Sequence, residues 1–354
     1  MENEFMIDVG VIGFGLSARA FHAPIIQAIH GVRLAAIFAR TGKFDSNDYP
    51  EVRLVRSLDE LLVIQSIRLI VVATSNTSHF ALVQKCLEAG RDVVVEKPFA
   101  TSFEEAEQLV ALAEKLGRTL TVFHERRWDG DFQTVKQVIA SGKLGRAVRF
   151  EAHWDRYRPV VRFGAWREQP QPGSGVLFDI APHLIDQVLI LFGRPNAVTA
   201  NTRIERDQGL TDDAFDVLLH YPRGMTASLH STMLAVAPRP RYVVHGTYGS
   251  FVKHGSDPQE ALLRAGHRPG GDSWGLEANE NWGAITLRDK DVSVSRAVPT
   301  VRGDYRGFYE NLRDTLLGKS SLAVTASQAL EVMRVLVLAR RSSALRATLS
   351  WNEL

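Results

Sequence analysis

Apolar positions follow two different rhythms along this chain. Up to residue 123 they come as short, nearly unbroken runs, the mark of strands buried on both faces. These runs are Ile7 to Ile12, Val32 to Phe38, Leu69 to Ala73, Val93 to Val95 and Leu120 to Phe123. Helical stretches lie between them. One passes through Cys86 to about Ala89 and stops at Gly90. Another carries Leu109, Leu112, Ala113 and Leu116 on one face and closes at Gly117. Thr101 with Glu104, and Ser102 with Glu105, are overlapping capping-box candidates at its start. Regular alternation of strand and helix predicts an α/β domain with a doubly wound, mostly parallel sheet.

After His124 the rhythm becomes alternation. From Ala147 to Trp154, Val148, Phe150, Ala152 and Trp154 alternate with Arg149, Glu151, His153 and Asp155. That is a half-buried strand. Similar strands are expected near Val198–Ile204, Phe215–Tyr221, Met225–Ser231, Arg241–His245 and Phe251–Lys253. Together they predict an α+β domain with a large, mostly antiparallel open sheet covered on one face. The other face is expected to be apolar and to be buried in a homodimer or homotetramer. Residues 255–282 read as one long loop. Two helices, about Tyr305–Leu317 and Ala326–Leu345, are expected to close the chain. The domain boundary falls at the change of rhythm, giving domains 1–124 and 125–354.

Composition narrows the function. The chain has 354 residues, 45% of them hydrophobic, and a formal net charge of +2. Nothing in that balance calls for a nucleic acid or an acidic membrane as partner. The one cysteine, Cys86, allows no disulfide within a chain, which suits a reducing cytoplasm. No signal peptide or membrane-spanning run is expected.

Four stretches carry candidate chemistry. Gly13-Phe14-Gly15-Leu16-Ser17-Ala18 fits G-x-G-x-x-G/A between a strand and a helix, the pattern of a dinucleotide site. The end of the second strand lacks the carboxylate that usually holds the ribose of NAD. Arg40 stands there instead, placed to meet the 2′-phosphate of NADP, or else it is a solvated loop arginine. Thr74-Ser75-Asn76 either lines a cofactor cleft or leads into the cap of the next helix at Thr77 or Ser78. Lys97, between Glu96 and Pro98, sits at the carboxyl end of a strand, where open α/β sheets place ligands. Its amine is either a donor to a substrate hydroxyl or a plain surface group. The fourth stretch runs from Gly173 to Asp186. Pro182 is expected in the first turn of a helix there, with Asp179 and His183 four residues apart on one face. They are either a carboxylate–imidazole pair for general-base chemistry or a helix cap and a half-buried histidine. No metal site is expected.

With these motifs in place, the whole chain resembles the Gfo/Idh/MocA family. The markers are Gly13-Phe14-Gly15, Thr74-Ser75-Asn76 with His79, Glu96-Lys97-Pro98, Trp166-Arg167, and Gly175 through Asp179 to His183. The resemblance implies a Rossmann domain and a catalytic group of Lys97, Asp179 and His183. It also implies that His79 and Glu96 belong to the cofactor site, and that Trp166 and Arg167 contact the nicotinamide end. Within the family the chain looks most like NADP-dependent scyllo-inositol dehydrogenases, through Phe21-His22, His124 to Asp129, Arg156 to Pro159 and Asp272 to Gly275. That likeness implies substrate contacts at His124, Arg127, Tyr157 and Arg158. The expected function is hydride transfer between NADP, with NAD as the alternative, and a cyclic polyol or sugar. The same resemblance leaves two other readings open: an NAD-dependent glycoside hydrolase, and a ligand-sensing regulator without catalysis. Ala181-Pro182 departs from the glycine and small residue many members carry there, which leaves the particular polyol open.

Overall fold

The computed structural model describes residues 6–39, 44, 48–289 and 292–354. The chain divides into two compact units. The first comprises residues 1–125, 259–274 and 304–330; the second comprises 126–258, 275–303 and 331–354.

The first unit is built on a six-stranded parallel sheet of order β3-β2-β1-β4-β5-β6. Its strands are β1 (Ile7–Ile12), β2 (Val32–Phe38), β3 (Arg53–Val55), β4 (Ile67–Val72), β5 (Asp92–Val95) and β6 (Leu120–Val122). The strand order turns back between β1 and β4, the place where such sheets bind ligands. All six residues of β1 and all four of β5 are buried; the two carboxylates among them, Asp8 and Asp92, pair with Arg33 and Arg68. Its helices are α1 (Ala23–Gln27), α2 (Leu58–Leu62), α3 (His79–Glu88) and α4 (Phe103–Leu116). A π-helical turn, Ala18–His22, runs directly into α1. Of the two capping candidates on α4, Ser102 is the cap: its hydroxyl accepts the Glu105 N–H at 3.2 Å. The Glu105 carboxylate reaches back to the N–H and hydroxyl of Thr101. Gly117 closes α4 in the left-handed region at φ 60°.

The second unit holds α5 (Gly130–Ala140), β7 (Ala147–His153), α6 (Gly175–Phe192), β8 (Ala197–Arg203), β9 (Ala214–His220), β10 (Thr226–Thr232), β11 (Tyr242–Gly246) and β12 (Gly249–Lys253). α7 (Gln259–Arg264) belongs to the first unit, within the stretch expected to be loop. β13 (Gly283–Asp289) and β14 (Val292–Val298) extend the second sheet. α8 (Arg306–Leu316) belongs to the first unit. α9 (Ala326–Leu345) starts there and continues into the second, and β15 (Leu349–Ser350) completes the sheet. The nine strands run in the order β14-β13-β12-β11-β7-β10-β9-β8-β15, antiparallel except where β10 pairs with β7.

On one face of this sheet Phe150, Ala152, Val217, Leu219, Ala227, Leu229, Tyr242 and Val244 are buried, with α6 packed on β9 and β10. The opposite face is mixed and only in part the apolar surface expected: Leu218, Val243 and Val252 lie on it beside Arg149, Glu151, Asp216, Ser228 and His230. Arg149 pairs with Glu151 at 2.6 Å, and Asp216 bonds both His230 and Arg203. Strand alternation places these residues there whatever their chemistry. α6 is long and apolar enough to cross a membrane, yet most of it is buried inside the chain as a core helix.

The start of α6 also differs from expectation. Pro182 lies inside the helix, not in its first turn. The helix begins seven residues earlier because Asp212 caps it from a distant loop. The Asp212 carbonyl accepts the Val176 N–H at 2.8 Å and its carboxylate the Leu177 N–H at 2.7 Å. Burial pushes the Asp212 carboxyl above its ordinary value, although the Leu177 N–H pulls the other way. Gly175, at φ 85°, leaves room for that carboxylate; a Cβ there would overlap it. Gly175→Ala should therefore destabilise the chain by about 1–3 kcal/mol, through strain and the displaced cap together. An unchanged urea midpoint for Gly175→Ala would contradict this account of the helix start.

Candidate active site

The glycine turn after β1 is set by close approach. Gly13 has φ 89°, and a Cβ on it would lie 2.7 Å from the Ala73 carbonyl at the end of β4. The Gly13 N–H donates to Phe38 O at 2.8 Å, and the Ala73 N–H donates to Ile12 O at 2.9 Å. Three strand ends are thus tied at one point. A Cβ on Gly15, by contrast, would meet nothing within 4 Å. The turn is open above Gly15 and leads into helix, which is the cradle a pyrophosphate needs. Phe14 packs edge-on against Phe44 and Tyr49, at 5.6 and 5.5 Å between ring centroids, and Leu16 is exposed. Arg40 lies outside the described residues, as does Lys43.

The β4 loop follows. Thr74 and Ser78 share a hydroxyl hydrogen bond at 2.7 Å, Ser75 is exposed, and Asn76 is buried. His79 is buried, with Nδ1 2.9 Å from Pro98 O and Nε2 3.3 Å from Thr74 O. Burial holds its pKa below the ordinary value, outweighing the carbonyls that favour charge. A neutral ring carries one N–H. We assign it to the shorter contact, so that His79 braces the loop after β5 against the loop after β4.

Glu96, at the end of β5, accepts from His22 Nε2 at 3.0 Å, from the Ser17 hydroxyl, and from the Lys97 backbone N–H at 3.1 Å. Burial alone would raise its pKa. The His22 and Ser17 hydrogen bonds and the nearby charge of Lys97 win, and the carboxyl sits at about 2. Lys97 is half-buried, and His124 is buried just after β6.

In the second unit the structure joins two predicted residues directly. Arg167 Nε lies 3.3 Å from Asp179 Oδ1, and the Arg167 guanidinium covers the Trp166 ring at 4.4 Å. Arg156, which the sequence reading did not select, approaches the other Asp179 oxygen at 4.0 Å. The buried His183 ring lies 5.5 Å from Trp154, tilted by 34°. Arg126 and Arg241 lie 4.4 and 4.3 Å from the centre of the same Trp154 ring. Arg156 lies 5.4 Å from it, so three cations crowd the Trp154 π-system. Trp154 and Arg156 continue the inward alternation of Phe150 and Ala152; that two-residue period was the signal for Arg156.

The predicted substrate residues do not all gather here. Arg127 forms a buried two-pronged pair with Asp186, at 2.9 and 2.6 Å. Tyr157 is exposed and bridges to Leu234 through its backbone. Arg158 is exposed, and its backbone N–H donates to Met233 O at 2.7 Å. Among the described residues no group of three or more His, Cys, Asp or Glu is arranged to hold a metal ion.

Residues 7–124 match the "Oxidoreductase family, NAD-binding Rossmann fold" profile, and residues 136–350 match its "C-terminal alpha/beta domain". The chain belongs to the Gfo/Idh/MocA oxidoreductase family. Its first unit is accordingly an NAD(P)-binding Rossmann domain, and the protein is an oxidoreductase. The uncharacterized oxidoreductase YdgJ of Escherichia coli is 43% identical over 97% of this chain and 98% of its own length. The scyllo-inositol 2-dehydrogenase (NADP(+)) IolW of Bacillus subtilis is 36% identical over 97% of this chain and 95% of its own length. Among solved structures, yvaA of Bacillus subtilis superposes with a TM-score of 0.95 at 35% identity, covering 99% of both chains.

Two measurements check this geometry. Arg127→Ala strands a buried Asp186 charge and should cost about 3–5 kcal/mol of stability. Arg156→Ala, at a half-buried position, should cost far less. Equal thermal shifts would contradict the contrast. Glu96 has a folded pKa below its ordinary 4.5, so its stabilising contribution is complete above that value and fades as pH falls toward about 2. Glu96→Gln should show a shallower loss of stability over that acid range than wild type. A parallel loss would show that Glu96 is not strongly paired.

Proposed function

We propose that the protein is an NADP-preferring dehydrogenase or reductase acting on a secondary alcohol or ketone of a cyclic polyol or sugar. Scyllo-inositol is the first substrate to test. The observation that carries the reading is the glycine turn closed at Gly13 and open at Gly15 in a family of NAD(P)-binding oxidoreductases. The whole-chain likeness to an NADP-dependent scyllo-inositol dehydrogenase supports the substrate class.

When bound, the nicotinamide accepts or supplies the hydride. The chain's own residues handle the proton. His183 takes the hydroxyl proton of the alcohol, or returns it to the ketone oxygen. Lys97 holds the reacting oxygen and helps pass that proton. Asp179 orients and polarises this pair, and its contacts with Arg156 and Arg167 fix the carboxylate in place. A positioned base of this kind contributes about a hundred- to ten-thousandfold in rate. Trp166 and Arg167 are assigned to the nicotinamide end, and Thr74, Ser75 and Asn76 to the cofactor's path along the β4 loop. His124 and Arg127 remain candidates for shaping the substrate site, Tyr157 and Arg158 for its rim. We further propose a homodimer or homotetramer in the cytoplasm, with the uncovered sheet face, where Leu218, Val243 and Val252 stand among charged residues, as the surface to examine.

Absorbance of the reduced nicotinamide band, with NAD or NADP against a panel of inositols, aldoses and ketoses, tests the activity. NADP-dependent turnover on a polyol is expected. Release of a free sugar from a glycoside without net absorbance change would point to a hydrolase instead. Lys97→Ala and His183→Ala should each lower turnover at least a hundredfold while changing cofactor affinity little; near wild-type turnover in either would remove that residue from the mechanism. Arg40→Ala should weaken NADP by roughly ten- to a hundredfold, the scale of one charge-assisted hydrogen bond, and leave NAD unchanged. Equal losses for both cofactors would mean that Arg40 does not read the phosphate.

A further inference from the structure

A chain of buried polar groups in the first unit reaches Glu96 from behind. The Tyr309 hydroxyl on α8 lies 2.6 Å from His22 Nδ1, and His22 Nε2 lies 3.0 Å from Glu96 Oε1. Tyr309 and His22 are 1% and 0% exposed, so neither is available to a ligand. Burial keeps the Tyr309 hydroxyl protonated, well above its ordinary pKa. Glu96 is ionised and only accepts, so Nε2 carries the ring's N–H toward it and Nδ1 accepts from the Tyr309 hydroxyl. The imidazole is also packed on Phe123, with ring centroids 4.2 Å apart. Its tautomer and its direction are both set from outside the cofactor turn.

His22 closes the π-helical turn that follows Gly15, and π-turns inside helices often mark functional positions. Its acceptor, Glu96, is shared with Ser17 of the glycine turn and with the backbone of Lys97. One carboxylate thus ties the turn to the strand end that carries the lysine.

We propose that His22 is a positioning residue: oriented by Tyr309, it fixes the Glu96 carboxylate and so presets the glycine turn for the dinucleotide. The proposal rests on the reading of that turn as the cofactor site. The competing account is a core histidine whose hydrogen bonds serve stability alone.

Titration of the full-length protein with NADPH, followed by tryptophan fluorescence, separates them, with melting temperature measured alongside. His22→Leu should weaken NADPH binding about tenfold, the scale of one hydrogen bond to a charged group. His22→Gln places an amide N–H near the position of Nε2 and should recover most of that loss. Tyr309→Phe keeps the ring volume but frees the imidazole, and should weaken binding by about two- to threefold. It carries the test if His22→Leu does not fold. Lowered melting temperatures with wild-type NADPH affinity in His22→Leu, or in Tyr309→Phe where the former does not fold, would overturn the proposal. So would a His22→Gln no better than His22→Leu. A wild-type chain that binds neither NADPH nor NADH would overturn the cofactor reading, and this proposal with it. Binding by wild type with no change in the variants would overturn this proposal alone.

Discussion

A carboxylate mostly buried at the end of a strand has to be satisfied, and at Glu96 that requirement ties three pieces of the first unit together. Left without partners, a buried charge neutralises itself or destabilises the fold. Here it accepts from His22, Ser17 and the Lys97 N–H and stays ionised. Each donor comes from a different piece of backbone: the helix after β1, the glycine turn, and the loop after β5. The close approach of Gly13 to Ala73 completes the arrangement, since it brings the ends of β1 and β4 together with no room for a side chain. His79 adds a third tie, between the loops after β4 and β5. The loops that family membership assigns to NAD(P) are therefore tied together by polar groups as well as by the apolar sheet beneath them.

The second unit solves a different problem. Its candidate residues lie on one long helix, α6, and on the inward-facing row of β7 and its continuation. The rise of the helix places Asp179 and His183 one turn apart. Strand alternation brings Trp154 against His183 and Arg156 near Asp179. Arg126 and Arg241 crowd the Trp154 ring, which stands as a wall beside His183. Arg127, which looked equally available in sequence, is held in a buried pair with Asp186.

Much of this was legible in the sequence where local pattern and final structure obey the same rule. β1, β2 and α9 have the bounds that apolar periodicity predicts, because both strands are buried on their own terms and α9 ends where its pattern ends. The glycine turn was legible because only glycine tolerates its geometry. What escaped depends on partners far away in the chain. The early start of α6 needs Asp212, and the role of His22 needs Tyr309, 287 residues on. β14 was missed because most of it is exposed, which leaves no burial pattern to read. α7 lies inside the stretch whose glycine and proline looked like loop, and α5 was not predicted at all. The uncovered sheet face was legible only in part: alternation fixes which residues point outward, and ionisable residues stand there beside Leu218, Val243 and Val252.

The central claim is hydride transfer between a nicotinamide cofactor and a polyol carbon. Following the label tests it most directly. The protein would be incubated with NADP and scyllo-inositol bearing deuterium at its ring carbons, and the recovered cofactor examined by mass spectrometry and NMR. The account predicts one deuterium per reduced nicotinamide, at C4. Reduced cofactor without deuterium, or polyol turnover that leaves the cofactor unlabelled, would contradict it.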